Sequence, residues 1–128
     1  MIVVDSNIIA YLYLPGEYTA RAEALLEQDA NWTAPPLWKS ELRNILAGYM
    51  RRKMLTFEAA HDLQREAESL LAGAVREADS RLILQLVQGS NCSAYDCEFA
   101  ALALTLGVKL VTLDAKLLKA FPGCAVAL

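Results

Sequence analysis

The stretch that decides the fold is Ser93-Ala94-Tyr95-Asp96-Cys97-Glu98-Phe99-Ala100-Ala101-Leu102-Ala103-Leu104-Thr105-Leu106-Gly107-Val108-Lys109-Leu110-Val111-Thr112-Leu113-Asp114. Ser93 reads as a helix N-cap with Asp96 three residues on, the acidic version of a capping box. The helix continues to Leu106 and ends at Gly107, since glycine tolerates the left-handed backbone that closes a helix. Val108 to Leu113 then reads as a buried strand of the kind found in parallel sheets. Asp114 stands at its end.

The same alternation extends to either side. Ala115 to Ala120 reads as a short helix closed by Phe121-Pro122-Gly123, and Cys124 to Ala127 as a last strand. At the other end, Ile2-Val3-Val4 is a β-branched run without alternation, again a strand buried on both faces. Ser6-Asn7 is expected to cap a helix through about Leu14, stopped by Pro15-Gly16. Thr19 to Gln28 has helical spacing, with Ala22, Leu25 and Leu26 on one side. Asn31 to Ala34 reads as a brief strand. Pro35-Pro36 opens a helix from about Leu37 to Arg52, since proline is tolerated in a first turn. A further helix runs from Thr56 to about Leu71, with Gly73 at its end. Gly73 to Glu77 has room for a short strand. Asp79 caps a helix to about Val87, and Gly89-Ser90-Asn91 breaks it. Strands alternating with helices predict an α/β fold with a mainly parallel central sheet. The 128 residues suit one domain spanning 1–128.

Composition narrows the function. Hydrophobic residues make up 55% of the chain, enough for a core and far from the composition of a disordered tail. Charged residues are 21%, below the usual share, which fits a surface partly covered by a second subunit or a partner. The net charge of −3 argues against a simple basic nucleic-acid binder. That objection softens if several acids hold cations, which invert the local potential. Cys92, Cys97 and Cys124 are an odd number without the short spacing of a zinc site, and the single histidine, His61, is remote from them. They read as small buried thiols in a reducing compartment. The start Met1-Ile2-Val3-Val4-Asp5 lacks a basic segment ahead of an apolar one, so no signal peptide is expected. No apolar run is long enough to cross a bilayer. The expectation is a cytoplasmic protein.

Four carboxylates occupy positions that need a reason. Asp5 and Asp114 each end a strand, and in an open parallel sheet ligands bind beyond the carboxyl ends of the strands. Glu41 lies in an apolar stripe with Leu37, Ile45 and Tyr49, and Asp96 shares a face with Phe99, Ala103 and Leu106. Each has an ordinary alternative: a turn residue for Asp5, a cap for Asp96 or Asp114, a pairing with Lys39 or Arg43 for Glu41. Glu98 points to another face than Asp96 and reads as solvated. Taken together, acids drawn to one edge repel unless a cation offsets them. Hard divalent ions take oxygen ligands and leave room for water and phosphate. Such ions activate water and stabilise charge on a phosphodiester.

At this point the sequence resembles the PIN domain, and most closely the VapC-type toxins. The resemblance rests on Val3-Val4-Asp5-Ser6-Asn7-Ile8-Ile9, on Pro36 with Glu41-Leu42-Arg43-Asn44-Ile45-Leu46, on Ser93-Ala94-Tyr95-Asp96 with Ala100-Ala101-Leu102-Ala103, and on Leu110-Val111-Thr112-Leu113-Asp114. It covers essentially the whole chain. It implies a PIN-like three-layer α/β/α sandwich and a ribonuclease that cuts RNA with Mg²⁺ or Mn²⁺. It assigns metal ligation first to Asp5 and Asp96, with Glu41 and Asp114 completing the site. Asn7 and Thr112 match supporting polar positions. It also implies a homodimer and a cognate antitoxin that blocks the site.

Two other readings compete with the ribonuclease. One is a catalytically silent PIN-fold binding module acting through dimer or antitoxin contacts, favoured by the acidic balance and the apolar content. The other is a small-molecule phosphatase, but Asp5-Ser6-Asn7 lacks the second aspartate that a phosphoaspartate mechanism uses. A glycosidase would need an aromatic-lined cleft, and aromatic residues are only 8%. Arg51-Arg52-Lys53, the one dense basic run, could track an RNA backbone but suits a helix C-terminus better. Arg43, Arg76 and Arg81 are further cations that the sequence does not place.

Overall fold

The computed structural model describes residues 1–128. Four short strands form one sheet in the order β2-β1-β3-β4: β1 (Ile2–Val4), β2 (Trp32–Thr33), β3 (Leu110–Thr112) and β4 (Ala125–Ala127). Every pairing is parallel, with Val3 opposite Thr33 on one side and Leu110 on the other, and Leu110 opposite Ala125. Parallel neighbours need crossovers, and the helices supply them. They are α1 (Ser6–Tyr13), α2 (Thr19–Gln28), α3 (Leu37–Arg51), α4 (Phe57–Leu70), α5 (Ser80–Gln88), α6 (Ala94–Leu106) and α7 (Ala115–Ala120). The result is a three-layer α/β/α sandwich around a core that includes Val3, Val4, Ile8, Ile9, Trp32, Trp38, Leu42, Phe99 and Leu110.

Helix α6 explains why its sequence looked so apolar. Cys97 and Phe99 through Ala103 are all buried, so the helix is covered nearly all round, by the sheet on one side and by α5 on the other. Its amphipathic partner α5 has no fully buried residue and lies outside it. Ser93 caps α6 as expected, its hydroxyl accepting from the Asp96 amide at 3.1 Å. At the far end Gly107 adopts φ +67°, and the amides of Gly107 and Val108 bond back to Leu104 and Ala103. This closure corrects the strand expected over Val108 to Leu113. The Val108 amide still serves the helix, so β3 begins only at Leu110. It ends at Thr112 because the Thr112 hydroxyl takes the Asp114 amide, turning the chain.

Two further expectations are refined. Helix α1 is capped by Asp5 rather than by Ser6 or Asn7: Asp5 keeps extended backbone while its carboxylate accepts from the Ser6 amide, and Ser6 is already helical. Gly73 to Glu77 forms no named strand, only a bridge from Val75 to Ala34. The remaining elements match their expected spans within about two residues, the usual scatter at element ends. No helix is long and apolar enough to cross a membrane.

Candidate active site

The two central strands, β1 and β3, run side by side and end at the same edge, which sets Asp5 beside the turn that carries Asp114. A crossover helix returns antiparallel to the strands, so the first turn of α6, with Asp96, comes to that edge as well. Helix α3 adds Glu41 from a position one residue before buried Leu42. The outcome is a pocket of about 380 Å³ lined by Asp5, Ser6, Asn7, Ser40, Glu41, Asn44, Ile45, Asp96 and Asp114. All four carboxylates singled out in the sequence therefore meet, and Asn7 lines the same pocket. Thr112 is buried beneath it.

The acids are held by donors that carry no formal charge. Asp5 is 9% exposed; its Oδ1 accepts from the Ser6 amide at 2.7 Å and its Oδ2 from the Thr112 hydroxyl at 2.7 Å. The same Thr112 oxygen accepts from the Asp114 amide at 3.0 Å, which ties the two strand-end acids together. Asp114 Oδ1 accepts from the amides of Lys116 and Leu117 at 2.8 and 3.2 Å, so Asp114 caps α7. Glu41 Oε1 accepts from the Ser6 hydroxyl at 2.7 Å. No protein group donates to the Asp96 side chain. The N-termini of α1, α6 and α7 all face this edge, and their partial positive charge eases the crowding of anions.

That relief is incomplete. Burial lifts the Asp5 carboxyl above the ordinary aspartate range against the pull of Thr112 and Ser6, and the charges of Asp114 and Asp96 lift it further. Glu41 is raised too, by burial first and then by Asp5, Asp96 and Glu98 against its bond from Ser6. Among the pocket residues there is no lysine, arginine or histidine. The pairing of Glu41 with Lys39 or Arg43 does not occur: Lys39 sits 3.4 Å from Glu68, and Arg43 also acts on Glu68. Arg76, Arg81 and the Arg51-Arg52-Lys53 run stand outside the pocket.

The chemistry left open is that of a hard cation. All the donor atoms offered are oxygens, which suit Mg²⁺ or Mn²⁺. The carboxylate oxygens of Asp96, Asp114 Oδ2 and Glu41 Oε2 accept no hydrogen bond from the protein, so they are free to ligate. No three acidic, cysteine or histidine side chains are gathered into a set that could hold a metal ion. A cation held here would keep coordination positions for water or for a phosphate oxygen, as Mg²⁺ does where it works on phosphates. The lining oxygens thus suit such an ion in kind, while their spacing forms no ready ligand set.

The structure brings further residues to the pocket that the sequence pattern does not mark. Ser6, a cap by its sequence position, bridges α1 to Glu41. Ser40 and Asn44 line the pocket beside Glu41, and the spacing of Asn44 at three residues was a signal for a shared face. Glu98, read as solvated, is half-buried because α6 is enclosed; burial and Glu77 raise its carboxyl, and its charge reaches Glu41. The three cysteines are buried thiols.

A parallel α/β sandwich with an oxygen-lined acidic pocket at the carboxyl edge of its central strands defines the class. A family model described as the PIN domain matches residues 2–121, and the chain belongs to the PIN domain family. Among curated proteins, Ribonuclease VapC3 of Pyrobaculum aerophilum is 29% identical over 124 residues, covering 94% of this chain and 95% of that protein. Among solved structures, PAE2754 of Pyrobaculum aerophilum aligns with a TM-score of 0.78 and 22% identity over 98% of this chain and 89% of that one. FitAcB of Neisseria gonorrhoeae aligns with a TM-score of 0.74 and 21% identity over 98% and 96% of the two chains. These two likenesses concern the fold.

Proposed function

We propose that the chain, acting as a single PIN-type domain over residues 1–128, is a Mg²⁺- or Mn²⁺-dependent endoribonuclease and the toxin of a toxin–antitoxin pair. The observation that carries this reading is the meeting of Asp5, Glu41, Asp96 and Asp114 in one pocket without a single base. Membership of the PIN family and the likeness to a protein named as a VapC ribonuclease support it.

Asp5 and Asp96 hold the cation, with Glu41 and Asp114 completing the acidic rim. When bound, a divalent ion supplies charge to the phosphodiester and polarises a water for attack. Thr112 and the Ser6 amide fix the Asp5 carboxylate in the wall of the pocket. Ser6 holds Glu41 by Oε1, leaving Oε2 to take a proton. Asn7 and Asn44 offer amides that orient a phosphate oxygen or a water. A homodimer, a cognate antitoxin laid over the pocket, and work in the cytoplasm complete the proposal.

Cleavage of a mixed structured RNA pool by purified protein tests it. Cutting is expected with Mg²⁺ or Mn²⁺, and is expected to vanish with EDTA and in identically purified Asp5→Asn or Asp96→Asn protein. Equal cutting by both variants would refute the assigned site. The second reading, a silent binding module, draws on the absence of a ready ligand set. Wild-type protein that binds a protein partner but neither Mn²⁺ nor RNA would favour it.

A further inference from the structure

Next to the acidic pocket lies a second, more apolar one of about 250 Å³. The two share Asn7 and Ile45 in their linings, so they adjoin. Three tyrosines wall the second pocket: Tyr11 from α1, Tyr18 just before α2, and Tyr49 from α3. The rings of Tyr11 and Tyr18 lie 5.0 Å apart at a tilt of 48°. Tyr11 is close enough to Asp5 and Tyr49 for their charges to bear on its phenol, after burial and Tyr18.

Cations flank this aromatic wall without filling it. The Arg21 guanidinium lies 5.7 Å from the Tyr18 ring centre, and that of Arg52 lies 4.8 Å from the Tyr49 centre. Neither arginine lines the pocket, whose one charged lining residue is Glu17. Aromatic walls, outlying guanidiniums and an adjacent phosphodiester site are the parts from which proteins build single-stranded RNA sites. Splayed bases stack on aromatic side chains, while arginines meet the phosphates.

Resting on the ribonuclease reading above, we propose that the Tyr11–Tyr18–Tyr49 pocket receives one unpaired nucleobase of the RNA, adjacent to the bond that is cut. Glu17 then faces the edge of that base. A carboxylate accepts hydrogen bonds and donates none, so it favours a base presenting an amino group there. The pocket would make cleavage depend on a nucleotide the acidic site never touches.

The test uses Asp5→Asn protein in EDTA, so that binding is read without cutting. The probe is a short unstructured RNA carrying 2-aminopurine, and a matching set in which each position in turn is abasic. One position is expected to be sensitive, with base loss weakening binding about ten-fold or more. Adding Tyr18→Leu or Tyr49→Leu is expected to produce the same loss on intact RNA and almost none on the RNA abasic at that position. Tyr18→Phe keeps the ring and should bind as the parent does. Glu17→Gln should change which base is preferred without a general loss.

Equal losses on intact and abasic RNA, or no sensitive position at all, would overturn the subsite while leaving the ribonuclease reading in place if the wild type still cuts RNA. Failure of wild type and parent variant to bind or cut any RNA would overturn both. The abasic scan on unaltered tyrosines decides the matter even if a leucine variant folds poorly.

Discussion

Thr112 does two jobs with one oxygen: it donates to Asp5 and accepts from the Asp114 amide. Valine has the same shape and neither capacity. Thr112→Val should leave the fold intact but cost roughly 1–3 kcal/mol in urea unfolding, because a buried carboxylate and an amide lose a partner. Its metal affinity and activity should fall by about 10- to 100-fold, the usual effect of removing a group that orients a ligand. Activity within two-fold of wild type would show that Asp5 does not need this bond. Asp5, Glu41, Asp96 and Asp114, which line one pocket, stand out in the sequence because Glu41 and Asp96 share apolar helix faces and Asp5 and Asp114 end strands, where open parallel sheets bind ligands. Ser6 could not, since a serine after an aspartate at a helix start has an ordinary local explanation. Only the fold reveals that its hydroxyl reaches across 35 residues of sequence to Glu41.

At the scale of elements, capping decides where the acids stand. Ser93 holds the first turn of α6, and Asp96 rides on that turn. Ser93→Ala should lower stability by about 1 kcal/mol, and fraying of the turn should lower activity by more than the fold loses. Comparison of urea midpoints with cleavage rates checks this. Gly107→Ala meets no atom within 4 Å, yet its backbone sits at φ +67°, so it should cost roughly 1 kcal/mol through strain alone. The helices and their order were legible from caps, glycines and periodicity. Strand length was less so: apolar residues at Val108 and Leu113 look like strand, but the helix closure claims one and the Asp114 turn frees the other from the ladder. The cap of α1 shifted by one residue for a similar reason, as Asp5 and Ser6 are both good caps and the sheet edge favours the residue that is still extended.

Over the whole molecule, the crowded carboxylates of the acidic pocket are a source of instability. Asp5 and Glu41 titrate above their ordinary values when the protein is folded, while in the unfolded chain they titrate near 4. The folded state therefore binds more protons in the window above pH about 4, and these two groups cost stability as pH rises through their raised values. Asp29 and Glu68, both lowered, act with the opposite sign, their stabilisation fading as pH falls. The Asp5 contribution is isolated by difference. In EDTA, the Tm advantage of Asp5→Asn over wild type should grow as pH rises from about 4 to 7, and a flat difference would contradict the burial of that charge. Legibility at this scale was good for the parallel sheet and poor for surroundings such as the Tyr11, Tyr18 and Tyr49 pocket, whose members come from α1, the turn before α2 and α3.

Four carboxylates from four parts of the chain should make one divalent-cation site. Calorimetric titration of the purified protein with Mn²⁺ tests it most directly. Saturable binding that is lost in both Asp5→Asn and Asp96→Asn, with both variants folded by circular dichroism, is the predicted result. Mn²⁺ binding that survives both substitutions, or no binding by the wild type, would contradict it.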